Sequence, residues 1–287
     1  MRGLYIHIPF CESICHYCDF VKRIAKDDAM VTDYLGILAK EIAHYRSRYR
    51  SFDTIYIGGG TPSMLSTEDL ERLFHMLDDL DPHEYTIEVN PESYTTEKGL
   101  RMKAAGINRV SLGVQTTDDG MRRYLNRRHS DDDVLFSISD LRRIGITNIS
   151  VDLIFGIPGQ TRAMIDRDLE MVRTVRPDHV SWYQLILEEK TVFHHLYRHG
   201  MFTPVAEDEL ALTYRHVTKE LEALGYSQYE ISNYGTEGKE SLHNTLYWTM
   251  QDYVGAGLGA HGFIDGVRYE NNRLLGDYAK AFVKASH

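Results

Sequence analysis

The sequence is poor in cysteine and has no long hydrophobic run. It has only three cysteines in 287 residues, and an odd number this small excludes a disulfide framework. No apolar run approaches the length of a bilayer span, so no transmembrane helix is predicted. The N-terminal MRGLYIHIPF has no signal-peptide pattern. Free thiols without an export signal predict a cytoplasmic protein and leave peripheral membrane contact open.

Positive charge is also scarce. Lysine and arginine number 32 against 42 aspartates and glutamates, which gives a formal net charge of −10. Because binding to a phosphate backbone needs clustered basic residues, no nucleic-acid partner is expected. The sequence also has no low-complexity tract and no Pro- or Gly-rich linker. Its length suits one large α/β barrel or two ordinary domains.

All three cysteines lie in one short loop, YIHIPFCESICHYCDF, as Cys11, Cys15 and Cys18. A CxxxCxxC spacing that uses every thiol of the chain predicts one site for a soft metal. Three thiolates would leave one iron of a four-iron cluster open, which is what substrate chemistry requires. The alternative is a zinc-stabilised binding module, in which His7 or His16 completes the ligand set.

Short β-like runs alternate with longer helical patterns along the chain. The runs cover 4–8, 54–58, 85–89, 109–114, 149–155 and 179–185. Helices are predicted over 34–45, from Thr67, after Gln160 and over 207–224. Since parallel neighbours need helical crossovers, six β/α units predict an α/β fold whose parallel sheet forms a barrel or an incomplete one.

Polar residues and glycines follow the predicted strands. Glu88, Gln115 and Asp152 lie at strand ends, and Arg127 lies beyond them. Each alone is compatible with an ordinary barrel rim, but their shared location predicts a ligand site. Carboxylates accept hydrogen bonds from ribose hydroxyls, and arginine pairs with a ligand carboxylate. The glycine run 58–60 is either a simple turn or a bare backbone for a ligand, and it is not a P-loop.

The pattern changes after residue 225. His243 precedes two aromatic residues, Tyr247 and Trp248. Such a histidine is either a hydrogen-bonded structural residue or an axial ligand to heme iron, with the aromatics lining a flat apolar pocket. His261 in GAHG has the same two interpretations.

The ordered set of motifs resembles the radical S-adenosylmethionine (SAM) superfamily. The matching pieces are YIHIPFCESICHYCDF, YIGGGTPS, IEVNPE, RVSLGVQ, DLIFGIPGQT and HNTLYW. They are most similar to the oxygen-independent coproporphyrinogen III oxidase-like branch. The resemblance implies a partial (β/α)6 TIM-like barrel over 1–225 and a short α+β extension over 226–287. It also implies a [4Fe–4S] cluster and SAM, whose amino and carboxylate groups chelate the fourth iron and whose reductive cleavage yields a 5′-deoxyadenosyl radical.

The resemblance carries over to individual positions. The cluster ligands would be Cys11, Cys15 and Cys18. The residues matching contacts to the cluster-bound SAM are Tyr5, Tyr17, Gly59 and Glu88. The residues matching contacts to a second SAM in the dehydrogenase members are Gly60, Thr61, Gln115, Arg127 and Asp152.

The sequence can be compared with two branches of this family. The dehydrogenases, which decarboxylate coproporphyrinogen III, usually have CxxxCxxCxC after a sizeable N-terminal arm. Here Phe20 replaces the last cysteine, and ten residues precede Cys11. These features and HNTLYW resemble the HemW-like branch of heme chaperones.

The branch resemblance sets the expected function and partners. It implies heme bound at His243 and delivered to a recipient protein, with an electron donor as a further partner. A homodimer and productive SAM cleavage stay open, and dehydrogenase activity is the alternative. The family also implies a helical domain following the segment YENNRLLGDYAKAF.

Overall fold

A computed structural model describes residues 1–283. Its strands are β1 (Arg2–Ile8), β2 (Thr54–Gly59), β3 (Glu84–Val89), β4 (Arg109–Gln115), β5 (Asn148–Phe155), β6 (His179–Gln184), β7 (Ser227–Gln228), β8 (Asn233–Gly235), β9 (Asp252–Ala256), β10 (His261–Ile264) and β11 (Val267–Glu270). Its α-helices are α1 (Asp28–Arg48), α2 (Thr67–His75), α3 (Thr96–Ala104), α4 (Asp119–Tyr124), α5 (Asp131–Arg143), α6 (Arg162–Val175), α7 (Val192–Arg198), α8 (Glu207–Ala223), α9 (Leu242–Trp248) and α10 (Leu275–Tyr278). None of these helices has the length and apolar character needed to cross a bilayer.

The first six strands form the centre of a single open sheet. Its order is β11-β10-β9-β1-β2-β3-β4-β5-β6-β8-β7 in the part of the chain described. Strands β1 to β6 are all parallel neighbours, joined by helices. This confirms the α/β class and the six predicted strands. The predicted helices are also present, and Ser66 caps α2 by accepting a hydrogen bond from the Asp69 amide.

The two faces of the central strands differ in chemistry. Residues such as Leu4, Ile55 and Ile87 are fully buried in the apolar core beneath the helices. The alternate residues form polar contacts on the inner face, as between Tyr56 and Glu88. Because side chains alternate along a strand, each strand contributes apolar residues to one face of the sheet and polar residues to the other. The inner face is therefore available for a polar site.

Residues after 225 add strands to both edges of this sheet. Strand β9 pairs in parallel with β1, and β10 and β11 continue that edge as a hairpin. Strand β8 pairs antiparallel with β6 at the other edge. The residues before and after position 225 therefore share one sheet. The division into two domains at this position stays a proposal. The last four residues of the predicted 226–287 extension lie outside the described residues.

One buried carboxylate ties the extension to the first helix. Glu41 of α1 is fully buried and accepts hydrogen bonds from the Gly257 amide and the Asn271 side chain, each at 2.7 Å. The Tyr278 hydroxyl also donates to it. Burial nevertheless raises the pKa of Glu41 from 4.5 to about 7. Three separate segments are therefore held by one titratable group.

The raised pKa of Glu41 predicts a pH-dependent stability. Its contribution is fully present below about pH 4.5 and is lost as pH rises through about 7. We expect the free energy of unfolding of wild type, relative to Glu41→Gln, to fall by on the order of 3 kcal/mol between pH 4.5 and 8. Urea unfolding across this range measures the difference.

The matched control is Glu97→Gln, at an exposed position in the first turn of α3. Its difference from wild type should change by less than about 0.5 kcal/mol over the same range. A wild-type advantage at Glu41 that stays constant with pH would contradict the prediction.

Candidate functional site

The cysteine loop is closed at its base by backbone hydrogen bonds. The Cys11 amide donates to the Arg23 carbonyl at 3.0 Å, and the Arg23 amide donates to the Pro9 carbonyl at 2.7 Å. The loop therefore leaves β1 and returns beside the same strand end. This connection fixes the first thiol at the carboxyl end of β1, where reactive groups of β/α barrels lie.

The middle of the loop is bound to the segment after α4. The His16 amide donates to the Leu125 carbonyl at 3.2 Å, and the His16 ring bonds to the Tyr124 carbonyl at 2.8 Å. The Asn126 side chain donates to the Ile14 carbonyl at 2.8 Å. Hydrogen bonds thus position the residues between the cysteines as well as the base of the loop.

The loop borders a cavity of about 370 Å³ at the carboxyl ends of the strands. The predicted site residues that line it are Cys11, Cys15, Tyr17, Cys18, Gly59, Gly60, Thr61, Glu88, Gln115, Arg127 and Asp152. Residues from the loop and from four different strands therefore meet in one place. Their individual ligand roles stay predictions.

The surroundings of the thiols suit an anionic metal cluster. Burial raises the pKa of Cys11 to about 11, and burial also raises the pKa of Cys18. Lys22 acts against the shift at Cys18, and an Arg127 nitrogen lies 3.9 Å from the Cys15 sulfur. Buried thiolates need compensating positive charge, which metal ions and these two cations supply. The donor set of three soft ligands in one cavity therefore fits a [4Fe–4S] cluster.

The histidines of the zinc alternative are engaged elsewhere. The ring nitrogens of His7 bond to the Val21 carbonyl at 2.7 Å and the Tyr5 hydroxyl at 3.0 Å. His16 bonds to the Tyr124 carbonyl, and neither histidine lines the cysteine cavity. Within residues 1–283, no three His, Cys, Asp or Glu side chains converge as on a single metal ion. In a four-iron cluster the three thiolates would each bind a different iron, so a cluster does not require such convergence.

Two half-buried carboxylates line the inner wall of the cavity. Glu88 accepts hydrogen bonds from the Tyr56 hydroxyl at 2.9 Å and the Gly59 amide at 3.0 Å. Burial raises the pKa of Glu88 to about 7 and also raises that of Asp152, which accepts from Ser111 at 3.0 Å. These groups can accept hydrogen bonds from the hydroxyls of a small ligand.

The backbone is closely packed against the base of the cysteine loop. A Cβ atom on Gly60 would lie 2.6 Å from the Phe10 carbonyl oxygen and 3.0 Å from the Cys11 sulfur. Gly59 has a φ of +113°, a conformation that only glycine adopts without strain. The glycines are therefore required for β2 to pass directly beside the first thiol.

Hydrogen bonds hold the Arg127 side chain in a fixed orientation at the wall of the cysteine cavity. One of its nitrogens donates to the Gly113 carbonyl at 2.6 Å and to the Asn90 side chain at 2.9 Å. A bulge follows Gly113, and Gln115 has a φ of +66°. This left-handed conformation is unusual for a residue with a side chain and turns the end of β4 at the rim.

The structure adds inner-face residues that sequence reasoning did not assign to the site. The additional lining residues include Tyr56, Asn90, Ser111 and Tyr183. The alternation of polar and apolar residues in β2 to β6 was the available signal, because the polar set shares one face. Arg127 was predicted to belong to the site, whereas its partner Asn90 was not.

Two predicted residues lie outside the cysteine cavity. Tyr5 lines a neighbouring cavity. His243 is buried, with its ring bonded to the Thr54 hydroxyl at 2.7 Å and the Tyr247 hydroxyl at 2.9 Å. As an axial ligand, His243 would have to give up one of these bonds.

Comparisons with known proteins identify the family to which this chain is similar. The sequence profile of the Radical SAM superfamily matches residues 5–172. The chain is 42% identical to the heme chaperone HemW of Bacillus subtilis, covering 94% of this chain and 73% of the relative. It is 35% identical to the heme chaperone HemW of Escherichia coli, covering 95% and 72%.

The fold is that of a solved radical SAM enzyme. The structure of coproporphyrinogen III oxidase (HemN) from Escherichia coli superposes with a TM-score of 0.84 at 23% identity. The match covers 97% of this chain and 68% of that protein. At this identity the likeness concerns the fold, and it agrees with the partial barrel predicted for the parallel strands.

Metal content tests the assignment of the thiols. We expect anaerobically prepared wild type to contain about four irons and four sulfides per chain, and Cys11→Ser, Cys15→Ser and Cys18→Ser each to lose most of both. Iron and acid-labile sulfide analysis measures the loss. Ser13→Ala, in the same loop and cavity, is the control and should keep both. Wild type loaded with zinc and free of sulfide would contradict the assignment.

Proposed function

This chain belongs to the HemW family of the radical SAM superfamily, and we propose that it is a heme chaperone that binds heme and delivers it to a recipient heme protein. The observation that carries this proposal is its similarity, over nearly the whole chain, to proteins named heme chaperone HemW. The dehydrogenase alternative has weaker support, because the likeness to HemN lies at 23% identity and concerns the fold.

Superfamily membership implies a [4Fe–4S] cluster and SAM as cofactors. We propose that Cys11, Cys15 and Cys18 hold the cluster. When bound, the cluster supplies an electron for chemistry on SAM at its open iron. The chain's own contribution is to orient and enclose the ligand beside these thiols.

The SAM-binding residues are proposed from the family resemblance, and the chemistry and place of three of them support it. Glu88 lies near the thiols, and its raised pKa of about 7 leaves it able to accept or donate a hydrogen bond near neutrality. Arg127 is fixed by Asn90 and suits pairing with a carboxylate. Asp152 faces the same cavity and can accept from a hydroxyl group. The full proposed SAM set is Tyr5, Tyr17, Gly59, Gly60, Thr61, Glu88, Gln115, Arg127 and Asp152.

Further partners belong to the same proposal. A heme recipient and an electron donor are needed for delivery and for reduction of the cluster. We place the protein in the cytoplasm, with contact to the membrane surface where the recipient is a respiratory enzyme. A homodimer is compatible with this function, and mass measurement with and without heme would test it.

Heme transfer is the direct test of the proposal. We expect heme-loaded protein to convert an apo-cytochrome into its heme-bound form, because a chaperone must release its cargo to a tighter site. Absorbance spectra of the separated recipient measure the transfer. Free heme at the same concentration is the control for spontaneous uptake.

The same preparation separates the two functions. With SAM and a reductant under anaerobic conditions, we expect no decarboxylation of coproporphyrinogen III. Catalytic turnover of coproporphyrinogen III, or a complete lack of heme transfer, would overturn the chaperone assignment.

A further inference from the structure

A second cavity of about 590 Å³ lies beside the cysteine cavity. Asp19 and Phe20, at the end of the cysteine loop, line both cavities. The second cavity is within the size range of sites for small molecules and cofactors. The two sites are thus separated by one short stretch of chain, and the thiols are not part of the second cavity.

One wall of this cavity is a face of the edge strands β9, β10 and β11. The strand register places Phe263 opposite both Tyr253 and Arg268, and His261 lies two residues away on the same face. All four line the cavity. The neighbouring Tyr269 points to the other face, where it packs against the apolar core. The edge of the sheet is therefore buried on one face and open to the cavity on the other.

The open face is aromatic and apolar. The Tyr253 and Phe263 rings are stacked with centroids 6.5 Å apart, and Tyr247 meets Tyr253 edge-on at 4.7 Å. Around the same cavity Phe20 is 58% and Met250 is 68% exposed. Large exposed apolar groups gathered around a concave site indicate a ligand with a broad apolar surface. The macrocycle of heme has this character.

Histidine side chains can bind iron, and His261 lines the cavity on this face. Its ring nitrogens make no hydrogen bond within the part of the chain described, whereas both ring nitrogens of His7, also in this cavity, are bonded. Burial lowers the pKa of His261, Glu270 opposes this shift, and Arg268 and Arg273 add to it. An imidazole nitrogen without a hydrogen-bond partner is available to bind iron.

Two arginines supply the charge that heme needs. Arg268 and Arg273 line the cavity and are exposed. Arg273 contacts Glu270, which is paired across the hairpin with His261. Guanidinium groups bind carboxylates strongly, and heme carries two propionates. An apolar wall with two cations matches the amphipathic shape of this ligand.

The HNTLYW segment contributes to the same cavity through Tyr247. The start of α9 is held by Glu84, which accepts from the Leu242 and His243 amides at 2.9 Å each. The His243 ring then binds the Tyr247 hydroxyl, and Tyr247 lines the cavity. In this structure His243 orients Tyr247 and does not itself line the cavity.

We propose that heme binds in this second cavity, with His261 as an axial ligand of the iron and Arg268 and Arg273 paired with the propionates. The proposal rests on the heme-chaperone function and assigns its binding site. In this proposal, Asp19 and Phe20 lie between the heme site and the cluster site.

Heme titration of variants tests the axial ligand. We expect His261→Ala to lose the absorbance and EPR signature of histidine-ligated heme and to bind heme at least about tenfold more weakly. Added imidazole should restore the signature. His243→Ala should keep the histidine-ligated spectrum while binding more weakly, because it acts through Tyr247. His44→Ala, exposed on α1, is the matched control and should behave as wild type.

A second ligand tests the arginines. The double variant Arg268→Gln and Arg273→Gln should weaken heme binding by about tenfold and leave binding of heme dimethyl ester, which lacks both carboxylates, unchanged. Cluster content and circular dichroism verify that each variant is folded.

The possible outcomes separate this proposal from the function on which it rests. If wild type binds heme but His261→Ala has an unchanged spectrum and affinity, the site assignment is wrong and the chaperone function stands. Loss of the histidine signature in His243→Ala alone would assign the iron to His243 instead. If wild type does not bind heme, the proposed function itself fails.

Discussion

The structure depends on the separation of two chemically different faces on the six central strands. Apolar residues at alternate positions are buried beneath the helices, and the residues between them carry hydroxyl, carboxylate and guanidinium groups. A shift of one residue in register would place charged groups in the core. The burial that holds the helices on the sheet therefore also specifies which side chains face inward. The stability of the core and the polarity of the site have the same origin.

The inner face is divided between its two ends. At the amino ends of the strands, Thr54 and Glu84 bind α9, and the buried Arg109 lies 3.9 Å from Glu84. Ser150 and Tyr229 bond to His179 in the same layer. At the carboxyl ends the inward groups line a cavity instead. Polar contacts within the protein thus close one end of the sheet, while the other end keeps groups available to a ligand.

Sequence reasoning was sufficient where the signal was local. Short β-like runs located β1 to β6, and the strand-end rule predicted one site for Glu88, Arg127 and Asp152, which line one cavity with the thiols. The location of Tyr5 depends on contacts between residues far apart in the sequence, which no local pattern reveals. It lies on β1 between β2 and β9, and the pairing with β9 joins residues 250 positions apart. One hydrogen bond of the His243 ring depends on Thr54, which lies 189 positions away in the sequence.

The parallel pairing of β1 with β9 also has a consequence for biosynthesis. Strand β1, which leads into the cysteine loop, leaves the ribosome before its partner β9, which emerges about 250 residues later. At roughly 5–20 residues per second, this delay is on the order of ten to fifty seconds. During that time the edge of β1 that later pairs with β9 has no partner strand. The segment that carries all three thiols therefore completes its sheet only late in synthesis.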